Sequence, residues 1–109
     1  METLTQNYRR IICEFLAELA HEDEGAVLVF DKERDRYLLL HNQWRKDESR
    51  VYGCAIHLDL IDDKIWVQHN STEIALDQEL CDRGVKPTDF VLGFRSPSAR
   101  SHLAAMMSS

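Results

Sequence analysis

Apolar residues recur along the first part of the chain at Tyr8, Ile11, Ile12, Phe15, Leu16 and Leu19. Steps of three and four predict an amphipathic helix that starts near Thr5 and turns one stripe to a core. The pattern runs into the acidic "HEDEG", where Gly25 ends it. The period then changes to that of strands. "AVLVFD" and "RYLLLHNQW" are apolar runs of strand length, and the short charged "KERD" between them predicts a hairpin. "RVYGCAIHLDLI" is the longest strand. Simple alternation puts Tyr52, Cys54, Ile56, Leu58 and Leu60 on one face, with Val51, Gly53, Ala55, His57, Asp59 and Ile61 on the other.

Asp62-Asp63 fits a two-residue turn of the type that needs positive φ at both positions, which aspartate tolerates better than most residues. That turn sets Leu60 opposite Ile65, Asp59 opposite Trp66, Leu58 opposite Val67 and His57 opposite Gln68, and opposed residues share a face. The core side is then Ile56, Leu58, Leu60, Ile65 and Val67. "NSTEIALDQELCDRGV" predicts a second helix, capped by Asn70 or Thr72 with Glu73 in its first turn. Gly84 suits its left-handed stop, with Val85 folding back on Leu80. "PTDFVLGF" predicts a fifth strand. Ser96-Pro97 then opens a short tail helix with Ala99, Leu103, Met106 and Met107 on one side. The order predicts an α+β fold: an N-terminal helix, an antiparallel four-stranded meander, a helix, a fifth strand and a short C-terminal helix.

At 109 residues the chain suits one domain, 1–109, and a chain of this size buries roughly 65% of its unfolded surface. No run approaches the roughly 20 apolar residues of a membrane span. "METLTQNYRR" lacks the apolar region of a secretory signal, so the expected location is the cytoplasm. Cys13, Cys54 and Cys81 are odd in number and form no C-x-x-C, which points to reduced, buried thiols rather than to disulfides or zinc. The net charge of −6 argues against a protein that grips DNA by itself, because phosphate binding needs a dense basic patch. Arg95 and Arg100 in the tail are too few to supply one.

His57 and Asp59 share a face and could orient a general base or donate two metal ligands. That is the basis of the alternative reading, a small metal-dependent enzyme or nuclease component. A catalytic metal wants about three protein ligands, and His69 falls on the opposite face in this register. No metal, cofactor or catalytic residue is therefore predicted. The glycines are scattered rather than gathered in a phosphate loop, and no serine stands in a G-x-S-x-G elbow. Trp66 beside His57, Asp59 and Gln68 on a second sheet face, joined by Trp44 and Tyr37, reads instead as a partner or oligomer interface, since interface centres favour such aromatics. Cover by a helix of the same chain is the rival reading.

"RVYGCAIHLDLIDDKIWVQHNSTE" and "VLGF", in this order after a short helix, resemble the XisI family, the fdxN element excision controlling factors of cyanobacteria. The resemblance runs from about Tyr8 to Arg100. Its motif positions here are Tyr52, Gly53, His57, Asp59, Lys64, Trp66, Thr72, Glu73, Gly93 and Phe94. Asp63 stands where the family's turn usually has glycine, and Arg95-Ser96 where His-Pro is usual before Pro97. The resemblance implies a factor that controls excision of a DNA element during heterocyst differentiation. It also implies work beside an endonuclease-like XisH companion and a separate recombinase. No catalytic residue is implied. The acidic charge fits a division in which the partner contacts DNA and this chain, expected as a homodimer or larger homo-oligomer, contacts the partner.

Overall fold

The computed structural model describes residues 2–94 and residue 98. The predicted tail helix, with Ala99, Leu103, Met106 and Met107, and the basic pair Arg95 and Arg100 lie outside the described residues.

Helix α1 spans Leu4–His21. Thr3 begins it with a reciprocal cap: its hydroxyl accepts the Gln6 N–H at 3.1 Å while Gln6 Oε1 accepts the Thr3 N–H at 2.9 Å. The predicted stripe is its buried side, with Tyr8, Ile11, Ile12, Phe15 and Leu16 all in the core. Strands β1 (Ala26–Asp31), β2 (Arg36–Trp44), β3 (Arg50–Ile61) and β4 (Lys64–Asn70) form an antiparallel meander. The Asp62-Asp63 turn has φ of 51° and 61°, the left-handed pair that its length requires. Strand β5 (Phe90–Leu92) adds to β4 in parallel, so the sheet order is β1-β2-β3-β4-β5. Helix α1 and the segment before β5 cover one sheet face. There Tyr37, Leu39, Ile56, Leu58, Leu60, Ile65 and Val67 join the helix stripe in a single core with Leu76, Leu80 and Val85.

One polar cluster ties the helix to the first hairpin. Arg9 donates to Asp35 through Nε at 2.8 Å and Nη2 at 3.1 Å, and the Tyr37 hydroxyl donates to the same carboxylate at 2.7 Å. The guanidinium holds the Asp35 carboxyl below its ordinary pKa. Burial, then the bond to Asp35, pushes the Tyr37 phenol well up.

Helix α2 is shorter than predicted, Leu76–Cys81 only. Asn70 Oδ1 takes both the Thr72 N–H, at 2.9 Å, and the Thr72 hydroxyl, at 2.6 Å. Asn70 Nδ2 donates to the Ile74 carbonyl at 3.0 Å. These local bonds satisfy the backbone in a turn and delay the helix, so Asn70 and Thr72 do not cap it and Glu73 lies before it. Its stop is the predicted one. The Val85 N–H reaches the Leu80 carbonyl and the Gly84 N–H the Cys81 carbonyl, each at 3.0 Å, and Gly84 has φ of 111°. Of "PTDFVLGF", Pro87–Asp89 forms a 3-10 turn and only Phe90–Leu92 is strand. Among the described residues no helix is long and apolar enough to cross a membrane.

Two register shifts correct the simple alternation. Leu39 pairs with Ile56 but Leu40 with Cys54, leaving Ala55 as an extra residue in β3. Ala55 and Ile56 are both fully buried, and every side chain before them changes face. Tyr52, expected beside Ile56 in the core, is therefore 64% exposed on the other side. The second shift lies in β4. Leu58 pairs with Val67 but His57 with His69, which makes Gln68 the extra residue and sets His69, not Gln68, level with His57.

Candidate functional site

The second face of the sheet, turned away from α1, carries the even positions of β2 and the odd positions of β1. From β3 it takes His57 and Asp59 beyond the bulge and Tyr52 and Cys54 before it. Asp59 is its centre and the one buried charged residue among those described, at 7% exposure. A buried carboxylate must be hydrogen-bonded, and both oxygens are. Oδ1 lies 2.8 Å from His57 Nε2, and Oδ2 accepts from Gln68 Nε2 at 3.2 Å. Gln68 reaches Asp59 as its diagonal neighbour, two positions along β4 from Trp66, with which the ladder pairs Asp59.

Gly93 explains part of the "VLGF" motif. A Cβ built there would stand 2.4 Å from Gln68 Oε1 and 3.3 Å from Trp66 Cε3. A side chain here would have to push the Gln68 amide aside and crowd the Trp66 ring, so glycine lets the chain after β5 lie against both. His57, Asp59, Trp66, Gln68 and Gly93 thus form one half-buried constellation.

The other predicted residues divide. Tyr37 is on the opposite face: fully buried, level with Leu58, and edge-on to Phe30 with ring centroids 5.7 Å apart. Its run of apolar neighbours hid which side it takes. Trp44 is on the second face and 68% exposed. It lies eight positions along β2 from Arg36, the residue level with Asp59, or roughly 26 Å at strand rise. It neighbours instead a distal aromatic rim, where Arg50 stacks over the Tyr52 ring at 5.1 Å and bonds Asn42 at 2.8 Å. Among the motif positions Lys64, Glu73 and Phe94 are exposed and Thr72 sits in the turn before α2. Val27 and Val29, each about 40% exposed, extend the apolar face to β1. Sequence reasoning missed them because "AVLVFD" is apolar on both sides.

No group of three His, Cys, Asp or Glu able to hold a metal exists among the described residues. The three thiols are half-buried, and burial pushes each above its usual pKa, away from the reactive thiolate. A cavity of about 350 Å³ between α2 and the β4–β5 edge is lined mainly by apolar side chains, Val67, Ile74, Leu76, Phe90 and Leu92 among them.

Residues 1–105 match the family described as XisI protein. The fold is similar to the crystal structure of a XisI-like protein from Anabaena variabilis ATCC 29413, with a TM-score of 0.81 and 32% identity over 92% of this chain and 94% of that one. It is also similar to the fdxN element excision controlling factor XisI from the same organism, with a TM-score of 0.76 and 31% identity over 90% of this chain and 99% of that one. No curated protein matches the chain. With the family matched across almost the whole sequence and the same fold in relatives of this identity, the chain belongs to the XisI family.

Proposed function

We propose that this chain is a non-enzymatic controlling factor for excision of a DNA element, and that it acts by docking an XisH-like, endonuclease-related partner on its second sheet face. The observation that carries the reading is that face itself. Its apolar exposure (Val27, Val29, Tyr52, Trp44) is combined with a fixed polar centre, Asp59 held by His57 and Gln68. Apolar surface around a few pre-placed polar groups is the anatomy of a protein interface rather than of a phosphate-binding groove. The net charge of −6 leaves DNA contact to the partner. The name of the Anabaena variabilis relative, an excision controlling factor, supports the role.

The test is co-purification with the XisH-like protein, with mass by light scattering, for wild type and Trp66→Asp. A defined complex that the folded variant loses supports the reading. No complex at micromolar concentrations refutes the partner, and an unchanged complex in the variant refutes the face.

One observation favours a second reading. The 2.8 Å contact of His57 with a buried carboxylate is also the way an imidazole base is oriented. Metal analysis of the purified protein, with nuclease assays of wild type and His57→Ala, separates the two readings. No bound metal and no His57-dependent cleavage end the enzymatic one.

A further inference from the structure

Strand β1 is a terminal strand of the sheet, and its outer edge is open in a particular way. The Asn42 N–H donates to the Gly25 carbonyl at 2.7 Å. That fixes the phase of the antiparallel ladder: Gly25, Val27, Val29 and Asp31 direct their backbone groups to β2, and Ala26, Leu28 and Phe30 direct theirs outward. The Ala26 N–H is already taken by the Asp23 carbonyl at 3.1 Å. Among the described residues this leaves, along the outer edge, the N–H and C=O of Leu28 and of Phe30, and the C=O of Ala26. Natural edges are blunted by proline, bulges or a lysine within the strand. "AVLVFD" has none of these, and its pairing with β2 is regular throughout.

The geometry points to a second copy of this chain as the occupant. β1 would pair antiparallel with β1 of the other copy across a two-fold axis at Leu28, joining the two sheets into one. Two side-chain matches, Val27 with Val29 and Glu24 with Lys32, select this register, and the open backbone groups permit it. Opposed residues must share a face, and here Val27 meets Val29 of the other copy on the second face while Ala26 meets Phe30 on the core face. The open groups pair in part: the Leu28 N–H meets the Leu28 carbonyl in both directions, and the Phe30 N–H meets the Ala26 carbonyl. The return bond, from the Ala26 N–H to the Phe30 carbonyl, is not made, because the Asp23 carbonyl already holds that N–H. Just beyond the strand, Glu24 of each copy stands level with Lys32 of the other, and both are exposed. A shift by one residue, to an axis at Val29, would instead set Asp31 against Val27. The pairing is isologous, so it closes as a dimer and does not grow into a fibre. It also places the exposed Val27 and Val29 of both copies side by side, making the second face continuous across the dimer. The inference goes beyond the proposed partner docking and does not depend on it.

The test is sedimentation equilibrium of the full chain from micromolar to about 100 µM, a range that brackets ordinary dimer affinities. The expected mass is twice 12.7 kDa. Val27→Glu with Val29→Glu opposes like charges twice across the axis, as does Val27→Lys with Val29→Lys. Each double variant is expected to dissociate at least about tenfold more readily, and an equimolar mixture of the two to recover the dimer. The positions are exposed, and circular dichroism checks that the variants fold. A wild type that stays at 12.7 kDa across the range overturns the inference. So does a dimer indifferent to both double variants, or a mixture that stays monomeric. None of these outcomes bears on whether an XisH-like protein binds, so the two proposals fail separately.

Discussion

Replacing Asp35 by asparagine isolates the charge in the cluster that fastens α1 to the first hairpin. Asparagine keeps the side chain's size and tolerates the left-handed backbone at this position, where φ is 53°, so the substitution removes the ion and little else. In the wild type the carboxylate accepts two bonds from Arg9 and one from Tyr37. Hydrogen bonds to a charged group contribute ~1.5–3 kcal/mol. Here the Arg9 and Asp35 side chains are 28% and 20% exposed, and solvent screening brings the whole cluster down to about 2 kcal/mol. In a domain of this size that is a fall in Tm of about 8 °C at pH 7. The pH dependence follows from the direction of the shift. The folded carboxyl titrates below its ordinary value, so its stabilisation is complete above the unfolded pKa of about 3.9. It drains away as the pH falls through the lower, folded value. Calorimetry of wild type and Asp35→Asn should show the gap at pH 7 and its decline in acid, below the unfolded pKa. Equal Tm values at pH 7, or a gap that survives acid, would refute the assignment. A cycle with Arg9→Met should return a positive coupling, since the two residues share the bond being removed.

Gly84→Ala should cost about 1 kcal/mol in urea unfolding, because a side chain is strained at φ of 111°. The nearest atom to its new Cβ, Ile11 Cδ1 at 3.9 Å, adds no clash, so a loss above about 3 kcal/mol would show that the stop of α2 is under some other constraint. Gly93→Ala should displace the Gln68 amide from Asp59 and crowd the Trp66 ring, shifting tryptophan emission and costing about 1 kcal/mol; unchanged emission would mean that Gly93 does not touch the ring. Cys13, Cys54 and Cys81, with thiols raised by burial, should react with a disulfide reagent at pH 7 more slowly than free cysteine and speed up together in urea. Rapid labelling of any one of them in the native protein would contradict its burial.

The elements themselves were legible because each carries a local signal. The stripe from Tyr8 to Leu16 has the helix period. Asp62-Asp63 has the length and residue type of its turn. Gly84 followed by Val85 spells the stop of α2. Faces were legible only where alternation is unbroken, from Leu58 to Val67 through the turn. A bulge leaves no periodic trace, so Ala55 and Gln68 were invisible, and Tyr52 and His69 were placed on the wrong side. Tyr37 was misread for a related reason: "YLLL" is apolar at every position, and period-two reasoning has nothing to hold. The late start of α2 was hidden because Asn70 and Thr72 serve a cap and a turn equally well. The resemblance quoted the right stretches, yet the motif positions do not converge. His57, Asp59, Trp66 and Gly93 meet at one constellation, while Lys64 and Glu73 remain outside it.

The two bulges also explain why the second face can be apolar and polar at once. In β3 the extra Ala55 lets Ala55 and Ile56 both enter the core, which would otherwise lose one of them to the other side. The same step rolls Tyr52 outward, level with Asn42 and two positions from the Arg50 and Trp44 pair, and builds the aromatic rim. In β4 the extra Gln68 sets His69 level with His57 while Val67 stays in the core and Gln68 bonds Asp59. A strict ladder would also have set Gln68 on the face of Asp59 and Val67 in the core, so the residue whose side the β4 bulge changes is His69. Each bulge gives up one ladder position and gains a side chain on the face where it is used. The surface with which this XisI protein is proposed to meet its partner is therefore set jointly, by the regular alternation that places Asp59, Trp66 and Gln68 and by the bulge at Ala55 that turns Tyr52 outward.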